Sequence, residues 1–220
     1  MKVYYSVEVL KDQYAESYDL IPEKYKDLRD RGYDIIEKVE VGGVLFVVIN
    51  PSYDESRQGV DISIVRKPDA VGDSEGYNYE PYFGKPKLLN ESIGISGFSH
   101  VDMFSIRCRQ QFWVRNMVHD PACRAFVEKQ LELFRMIVEG TLPRCIVVIN
   151  AMASGLIKDG SALGQLQYDE ALGVDLYEVN GKRIPVFYSG MLSGAHALDN
   201  GSYERLLWHI KYVMAHLEMK

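Results

Sequence analysis

The chain contains four short apolar runs separated by stretches of helical periodicity, and this alternation limits the folds open to it. The runs are Val44 to Ile49, Val101 to Ile106, Cys145 to Ile149 and Ile184 to Tyr188. Each has the length and the β-branched or aromatic content of a strand buried on both faces. Strands that alternate with helices predict a three-layer α/β/α domain with a central, mainly parallel, four-stranded sheet.

Local signals place the elements between these runs. Capping residues and apolar periodicity predict helices from Asp120 to Gly140 and from about Ser202 to the C-terminus. An amphipathic stretch predicts a further helix near Glu23 to Lys38. The pair Asn180-Gly181 predicts a tight hairpin, so one short antiparallel strand precedes the last core strand.

Length and charge narrow the functional class. The chain has 220 residues, which fits one domain spanning 1–220, with an N-terminal extension of about 1–43 before the first core strand. Its net charge of -6 argues against a general nucleic-acid coat protein or a membrane-surface binder. No apolar run approaches the roughly 18 residues of a membrane span, and the first residues do not resemble a signal peptide. These features predict a cytoplasmic protein without a membrane partner.

The cysteines and histidines do not predict a metal centre. Cys108, Cys123 and Cys145 form no CxxC pair, and an odd number of cysteines in a reducing compartment favours free thiols. The five histidines show no paired ligand spacing. We therefore predict no metal and no cofactor.

Ligands of parallel sheets bind beyond the carboxyl ends of the strands, so the residues that follow each run matter most. Asn50-Pro51-Ser52 ends the first run. Its Asn amide could orient a water or a substrate amide, while a plain strand-end turn is the alternative. Ser189 to Gly194 follows the last run and would let a ligand approach main-chain N–H groups, or would form a close-packed turn.

A basic and aromatic cluster follows the second run. Arg107, Arg109 and Arg115 are interleaved with Phe112 and Trp113 in an otherwise acidic chain. This mixture suits phosphate contact with base stacking, and a solvated loop with a few ion pairs is the alternative.

Five short motifs, taken in order, resemble the uracil-DNA glycosylase superfamily. They are VLFVVINPS, then Pro81-Tyr82-Phe83-Gly84 with LLNESIG, then SIRCRQQ with ACRAFVEKQLELF, then LPRCIVVINAMASGLI, and last YSGMLSG with ERLLWHIKYV. The resemblance covers about Val44 to Met214 and is best with the branch that carries an iron–sulfur cluster. The Asn-Pro form of the first motif is that of the mismatch-specific thymine/uracil branch.

The departures from the family pattern are informative. The cluster-containing enzymes use four cysteines, and here Cys108 and Cys123 fall at two of those positions, so an ordinary Cys₄ cluster cannot form. The second motif normally begins with His-Pro-Ser or Asn-Pro-Ser, whereas this chain has Ser189-Gly190-Met191. Phe104 or Ser105 stands where many members place an Asn that reads uracil.

The resemblance implies roles for individual residues in removing a base that has been flipped out of DNA. Asn50 would place the water, and the turn of Ser189 and Gly190, or the hydroxyl of Ser189 or Ser193, would contact the departing base. Tyr82 would stack on the base. The remaining substrate-binding positions would be Pro51, Ser52, Phe83, Phe104, Gly190 and Met191, and the DNA-binding positions Arg107 and Arg109.

We therefore expect an enzyme that hydrolyses the N-glycosidic bond of a damaged or deaminated base in DNA, with single-stranded DNA left open as the form bound. A non-catalytic nucleic-acid or nucleotide binder of the same fold is the alternative. A Ser-dependent hydrolase using Ser193 with His196 or His209 is a third hypothesis, for which no nucleophile elbow is visible.

Overall fold

The computed structural model describes residues 2–53, 84–95, 97–193 and 197–217, together with the backbone strand formed by residues 63–66. The strands are β1 (Tyr4–Ser6), β2 (Tyr33–Ile36), β3 (Lys38–Glu40), β4 (Val44–Val48), β5 (Ser63–Arg66), β6 (Phe98–Asp102), β7 (Cys145–Val148), β8 (Gln167–Asp169), β9 (Val174–Val179) and β10 (Lys182–Tyr188). The α-helices are α1 (Lys11–Tyr18), α2 (Lys26–Asp30), α3 (Gly84–Ser92), α4 (Gln111–His119), α5 (Arg124–Thr141), α6 (Ala151–Lys158) and α7 (Asn200–Leu217).

A six-stranded central sheet has the order β6-β4-β7-β10-β9-β8. The strands β6, β4, β7 and β10 are parallel neighbours, while β9 pairs antiparallel with both β10 and β8. The prediction of a mainly parallel sheet flanked by helices is confirmed, but the prediction of four strands is wrong. The difference arises because β9 and β8 extend the sheet beyond the last parallel strand.

The hairpin that begins this extension follows the sequence signal. Asn180 and Gly181 join β9 to β10 with φ angles of 50° and 73°. Two successive residues with positive φ match the right-handed twist of the flanking strands, and the Asn-Gly pair adopts such angles most readily. The antiparallel strand predicted before the last core strand is therefore confirmed as β9.

Both faces of the sheet are buried, as the continuous apolar runs predict. Along β4, Leu45 and Val47 belong to one apolar cluster, and Val44, Phe46 and Val48 belong to the other. Helices α1, α5 and α6 supply the first cluster, and α3 and α7 supply the second. This arrangement gives three layers with the sheet in the middle.

The predicted helix near Glu23 to Lys38 is confirmed over α2, and it is wrong for the residues from Tyr33 onward. A short 3₁₀ turn at Glu23–Tyr25 leads into α2, and Gly32, with φ of 68°, ends the helical stretch. The chain then forms β2, which pairs in parallel with β5. The partner strand lies some thirty residues further on, so local periodicity carries no signal of this pairing.

The second core strand also differs from its prediction, because β6 spans Phe98–Asp102 and not Val101 to Ile106. The residues after it still follow β4, since Met103 N–H donates to the Val48 carbonyl and Phe104 N–H donates to the Ile49 carbonyl. Asp34 N–H then donates to the Ser105 carbonyl, which sets β2 beside this segment.

Residues before β4 belong to the core. Tyr14, Tyr18 and Leu28 are buried in the same apolar cluster as α5. A polar network joins the layers there: Gln130 of α5 accepts from the N–H and hydroxyl of Ser105 and donates to the Ser17 hydroxyl of α1. Of the helices in the described residues, none is long and apolar enough to cross a membrane.

Candidate functional site

The carboxyl ends of the parallel strands meet at one edge of the sheet. Val148 of β7 lies opposite Val47 of β4 on one side and opposite Tyr188 of β10 on the other. Asn50 and Asn150 lie two residues after the ends of β4 and β7, and Ser189 follows β10 directly. Because adjacent strands are about 4.8 Å apart, the residues after β4 and β10 lie about 10 Å apart across this edge.

Hydrogen bonds from the side-chain nitrogen of Asn50 to three backbone carbonyls hold this residue in place. Its Nδ2 donates to the carbonyls of Pro51 at 2.9 Å, Cys108 at 2.7 Å and Ile106 at 3.4 Å. These three acceptors fix the orientation of the amide, because the reversed amide would turn its oxygen toward three carbonyl oxygens. Oδ1 is buried and has no hydrogen-bond partner among the described residues.

A buried acceptor without a partner is unusual in a folded protein and calls for a donor from outside the described protein atoms. An amide oxygen can accept from a water or from a substrate N–H, but it is a much weaker base than a carboxylate. Because Oδ1 of Asn50 is buried, it can orient only a donor small enough to reach it, such as a water, and an amide is too weak a base to remove a proton.

Asn150 ends the neighbouring strand and has a different environment. Its Oδ1 accepts from the N–H groups of Met152 and Ala153 at 2.9 and 3.1 Å. It is the N-cap of α6, which explains an Asn at this position without any ligand.

The turn after β10 is closely packed. The Ser189 N–H donates to the Val148 carbonyl at 2.8 Å, and the Ser189 hydroxyl donates to the Gly190 carbonyl at 3.0 Å. A Cβ added to Gly190 would lie 3.2 Å from the end of the Leu198 side chain, which would have to shift slightly to make room for it. Met191 and Ser193 are half-buried, and the Met191 carbonyl accepts from the Leu198 N–H.

A cleft of about 560 Å³ opens beside Asn50. We call it the arginine cleft, and its walls include Arg31, Tyr53, Cys108, Arg109, Gln110 and Trp113. Asn50 itself does not line the cleft, but two of its neighbours do: Ser52, two residues further on, and Cys108, whose carbonyl accepts from Asn50.

Arg107 lies behind this cleft and not on its surface. It is 5% exposed, and its guanidinium donates to the Arg31 carbonyl at 3.1 Å. A direct contact of Arg107 with DNA, which the sequence predicts, would need a side chain open to solvent. The position of Arg107 favours a structural role in holding Arg31, while Arg109 is exposed in the cleft wall.

The other site residues predicted from the sequence lie partly at the cleft, partly in the core and partly outside the described residues. Pro51 is buried, and its carbonyl accepts from the Cys108 N–H, whereas Ser52 is exposed at the cleft. Phe104 is 1% exposed in the core, where it has no face free for a substrate. The predicted residues Tyr82, Phe83 and His196 lie outside the described residues.

The contacts of His209 do not favour the predicted role as a general base for Ser193. Its Nε2 lies 2.9 Å from the Leu172 carbonyl, and its ring packs edge-on against Phe187. These contacts are those of a histidine that fixes α7 to the sheet.

Sequence reasoning missed Arg31 and Tyr53. Arg31 reaches the cleft because Tyr33 forms a bridge with Ile106, which sets the start of β2 beside the segment after β6. This is a tertiary contact between residues far apart in the chain. Tyr53 directly follows the Asn50-Pro51-Ser52 motif, and this proximity in sequence is the feature that could have identified it as a site residue.

The described cysteines are free, buried thiols. Burial raises the pKa of Cys123 to about 11 and that of Cys145 to about 12, and it also raises the pKa of Cys108. Thiolates are the form that binds iron or zinc. In the described part of the chain, no group of three or more His, Cys, Asp or Glu side chains could hold a metal ion.

Comparisons of the chain with models of protein families and with curated proteins found no match.

Proposed function

We propose that the protein is a uracil-DNA glycosylase-like enzyme that hydrolyses the N-glycosidic bond of a damaged or deaminated base in DNA. The observation that carries this proposal is the fixed Asn50 amide, whose Oδ1 is without a partner among the described residues. It lies at the carboxyl edge of a mainly parallel sheet, where such folds bind ligands. The ordered motifs described above support the same assignment.

In the proposed reaction, a water attacks the sugar carbon while the bond from that carbon to the base nitrogen breaks. The bonding electrons leave with the base, and the products are a sugar hydroxyl and a base that carries a proton from the water. Asn50 Oδ1 accepts a hydrogen bond from that water and aims its oxygen at the sugar carbon. Positioning of this kind lowers the barrier without a strong base.

The turn after β10 supplies weaker help to the departing base than a histidine would. The Ser189 hydroxyl donates to the Gly190 carbonyl, so it must rotate before it can donate to a substrate. Loss of one donor to a developing negative charge typically slows a reaction by about 10² to 10³. We therefore expect slow excision of uracil, with faster release of a base that leaves more easily.

An excision assay tests the proposal. Oligonucleotides carrying uracil and several other deaminated or alkylated bases are incubated with the protein in single-stranded and duplex form, and abasic sites are detected by strand cleavage. We expect release of at least one base, and Asn50→Ala should abolish it. Asn150→Ala is the matched control, because it removes a strand-end Asn that only caps a helix. Equal activity of Asn50→Ala and the parent would remove Asn50 from the mechanism.

The hydrogen bond from Ser189 to its neighbouring carbonyl favours a second candidate, a non-catalytic nucleic-acid or nucleotide binder. Such a protein would keep the pocket and the arginine cleft but would lack a donor to the leaving base. Tight binding of oligonucleotides with no release of any modified base would support this candidate over the enzyme.

A further inference from the structure

The arginine cleft carries positive charge that no carboxylate of the described residues cancels by an ion pair. None of the ion pairs within the described part of the chain involves Arg31, Arg107 or Arg109. The chain as a whole is acidic, with a net charge of -6. Guanidinium groups gathered without acidic partners among the described residues indicate a site for an anion, and phosphate suits their forked geometry best.

Tyr53 holds two of these groups without neutralising them. Its ring centroid lies 4.8 Å from the guanidinium carbon of Arg31 and 5.2 Å from that of Arg107. Cation–π contacts at these distances are attractive but leave the formal charge in place. The bond from Arg107 to the Arg31 carbonyl further restrains this pair, so the cleft is organised before an anion arrives.

The first turn of α4 adds to the field in the cleft. The helix starts at Gln111 between the cleft residues Gln110 and Trp113, and the Gln110 side chain makes no capping hydrogen bond. Its first turn contains no acidic residue. The Trp113 N–H donates to the Gln110 carbonyl, but the partial positive charge of the helix start still favours a bound anion, which strengthens the case made by the arginines.

The same turn exposes two aromatic rings. Trp113 is 38% exposed and lines the cleft, and Phe112 is 46% exposed, with its ring centroid 4.6 Å from that of Trp113. A nucleic-acid base can stack on such a ring only when it is not already stacked within a duplex. Arginine and indole side by side therefore favour an unpaired nucleotide over a base pair.

We propose that the arginine cleft binds an unpaired nucleotide that flanks the one whose base is removed. Arg31 and Arg109 contact its phosphate, and its base stacks on Trp113. This inference rests on the proposed function, and it adds that the nucleic acid is single-stranded at this position. An acidic protein gains less from the dense charge of a duplex, so stacking must supply part of the affinity.

Binding of fluorescent oligonucleotides, followed by anisotropy at several salt concentrations, tests this inference. The probes are one undamaged single-stranded DNA and the same strand in a duplex. Trp113→Ala should weaken single-strand binding about tenfold, the usual size of one stacking contact. Arg109→Ala should also weaken binding, and it should reduce the slope of log affinity against log salt by about 0.7. Trp113→Ala should leave that slope unchanged.

Two controls use residues of the same kinds outside the cleft. Trp208 lies on α7 and is 65% exposed, and Arg183 is exposed on β10 without lining the cleft. Trp208→Ala and Arg183→Ala should bind as the parent does. Equal parental affinity for single strand and duplex would overturn the inference, as would equal effects of Trp208→Ala and Trp113→Ala.

Binding is measured here without excision, so the two proposals can fail separately. Selective single-strand binding with no excision of any base would overturn the proposed chemistry and leave this inference standing. Excision by a protein that binds duplex as tightly as single strand would support the proposed chemistry and overturn this inference.

Discussion

The side-chain nitrogen of Asn50 joins two loops, because its acceptors lie both in the turn after β4 and in the segment after β6. The neighbouring Asn150 serves a helix within its own segment. Both residues end buried apolar runs, and the sequence around them does not separate the two roles. Their partners are set by which loops meet in three dimensions.

Replacement of Asn50 should therefore lower stability as well as activity. Asn50→Ala removes a donor from the Ile106 and Cys108 carbonyls, while the Pro51 carbonyl still accepts from the Cys108 N–H, and we expect a loss of about 2 kcal/mol in the free energy of unfolding. Asn50→Asp should cost more, because a carboxylate would face three carbonyl oxygens. Urea unfolding measures both, with Asn150→Ala, which loses a helix cap of about 1 kcal/mol, for comparison. A fully stable Asn50→Asp protein would contradict this account.

Among the elements, helices with local capping signals were predictable. Asp120 accepts from the Ala122 N–H at the start of the 3₁₀ turn that leads into α5, as its position before Pro121 suggests. Strands whose partners lie far away in sequence were not predictable. The apolar spacing across β2 predicts a helix, because the pairing of β2 with β5 leaves no signal in the local periodicity.

Asp120 also joins α5 to the N-terminal residues, which gives a prediction of pH dependence. Its carboxylate forms an ion pair with Lys24 and accepts from the Tyr25 hydroxyl at 3.0 Å. The hydrogen bond from Lys24, with those from Ala122 and Tyr25, lowers the pKa of Asp120. A lowered pKa in the folded state stabilises the protein above the ordinary pKa of Asp, about 4, and this gain is lost as the pH falls through the lowered value.

Asp120→Asn should thus destabilise the protein near neutral pH, and the difference from the parent should shrink below about pH 4. Urea unfolding across this range measures the effect. Lys24→Met should remove much of the same stabilisation, so the double variant should lose less than the sum of the two single losses. Additive losses without pH dependence would show that the ion pair contributes nothing.

Viewed as a whole molecule, the parallel core of the sheet followed from the sequence, because each of its strands is a continuous apolar run. The layer built from the residues before β4 did not follow, since its tyrosines look like surface residues in an isolated sequence. Fifteen tyrosines suggest wet surfaces, yet Tyr14, Tyr18 and Tyr33 pack ring against ring in the core. Burial of a tyrosine depends on a partner for its hydroxyl, and that partner is fixed only in the fold.

Thiol chemistry tests the burial of the three cysteines across the molecule. Their raised pKa values keep the thiols protonated near neutral pH, and only thiolates react rapidly with disulfide reagents. We expect slow labelling of the native protein, with Cys108 first because it lines the arginine cleft. Unfolding in urea should release all three at once. Stoichiometric iron and sulfide in anaerobically purified protein would contradict the assignment of free thiols.

The hydrogen bond from Gln130 to the Ser17 hydroxyl spans 113 residues of chain. During synthesis, α1 leaves the ribosome long before α5 has been made. Tyr14 and Tyr18 therefore remain exposed to water while most of the domain is synthesised. A contact between residues so far apart in sequence requires a large loop to close, and this costs chain entropy before the contact stabilises the fold. The cost slows folding. The first layer to be synthesised is therefore expected to be among the last to dock.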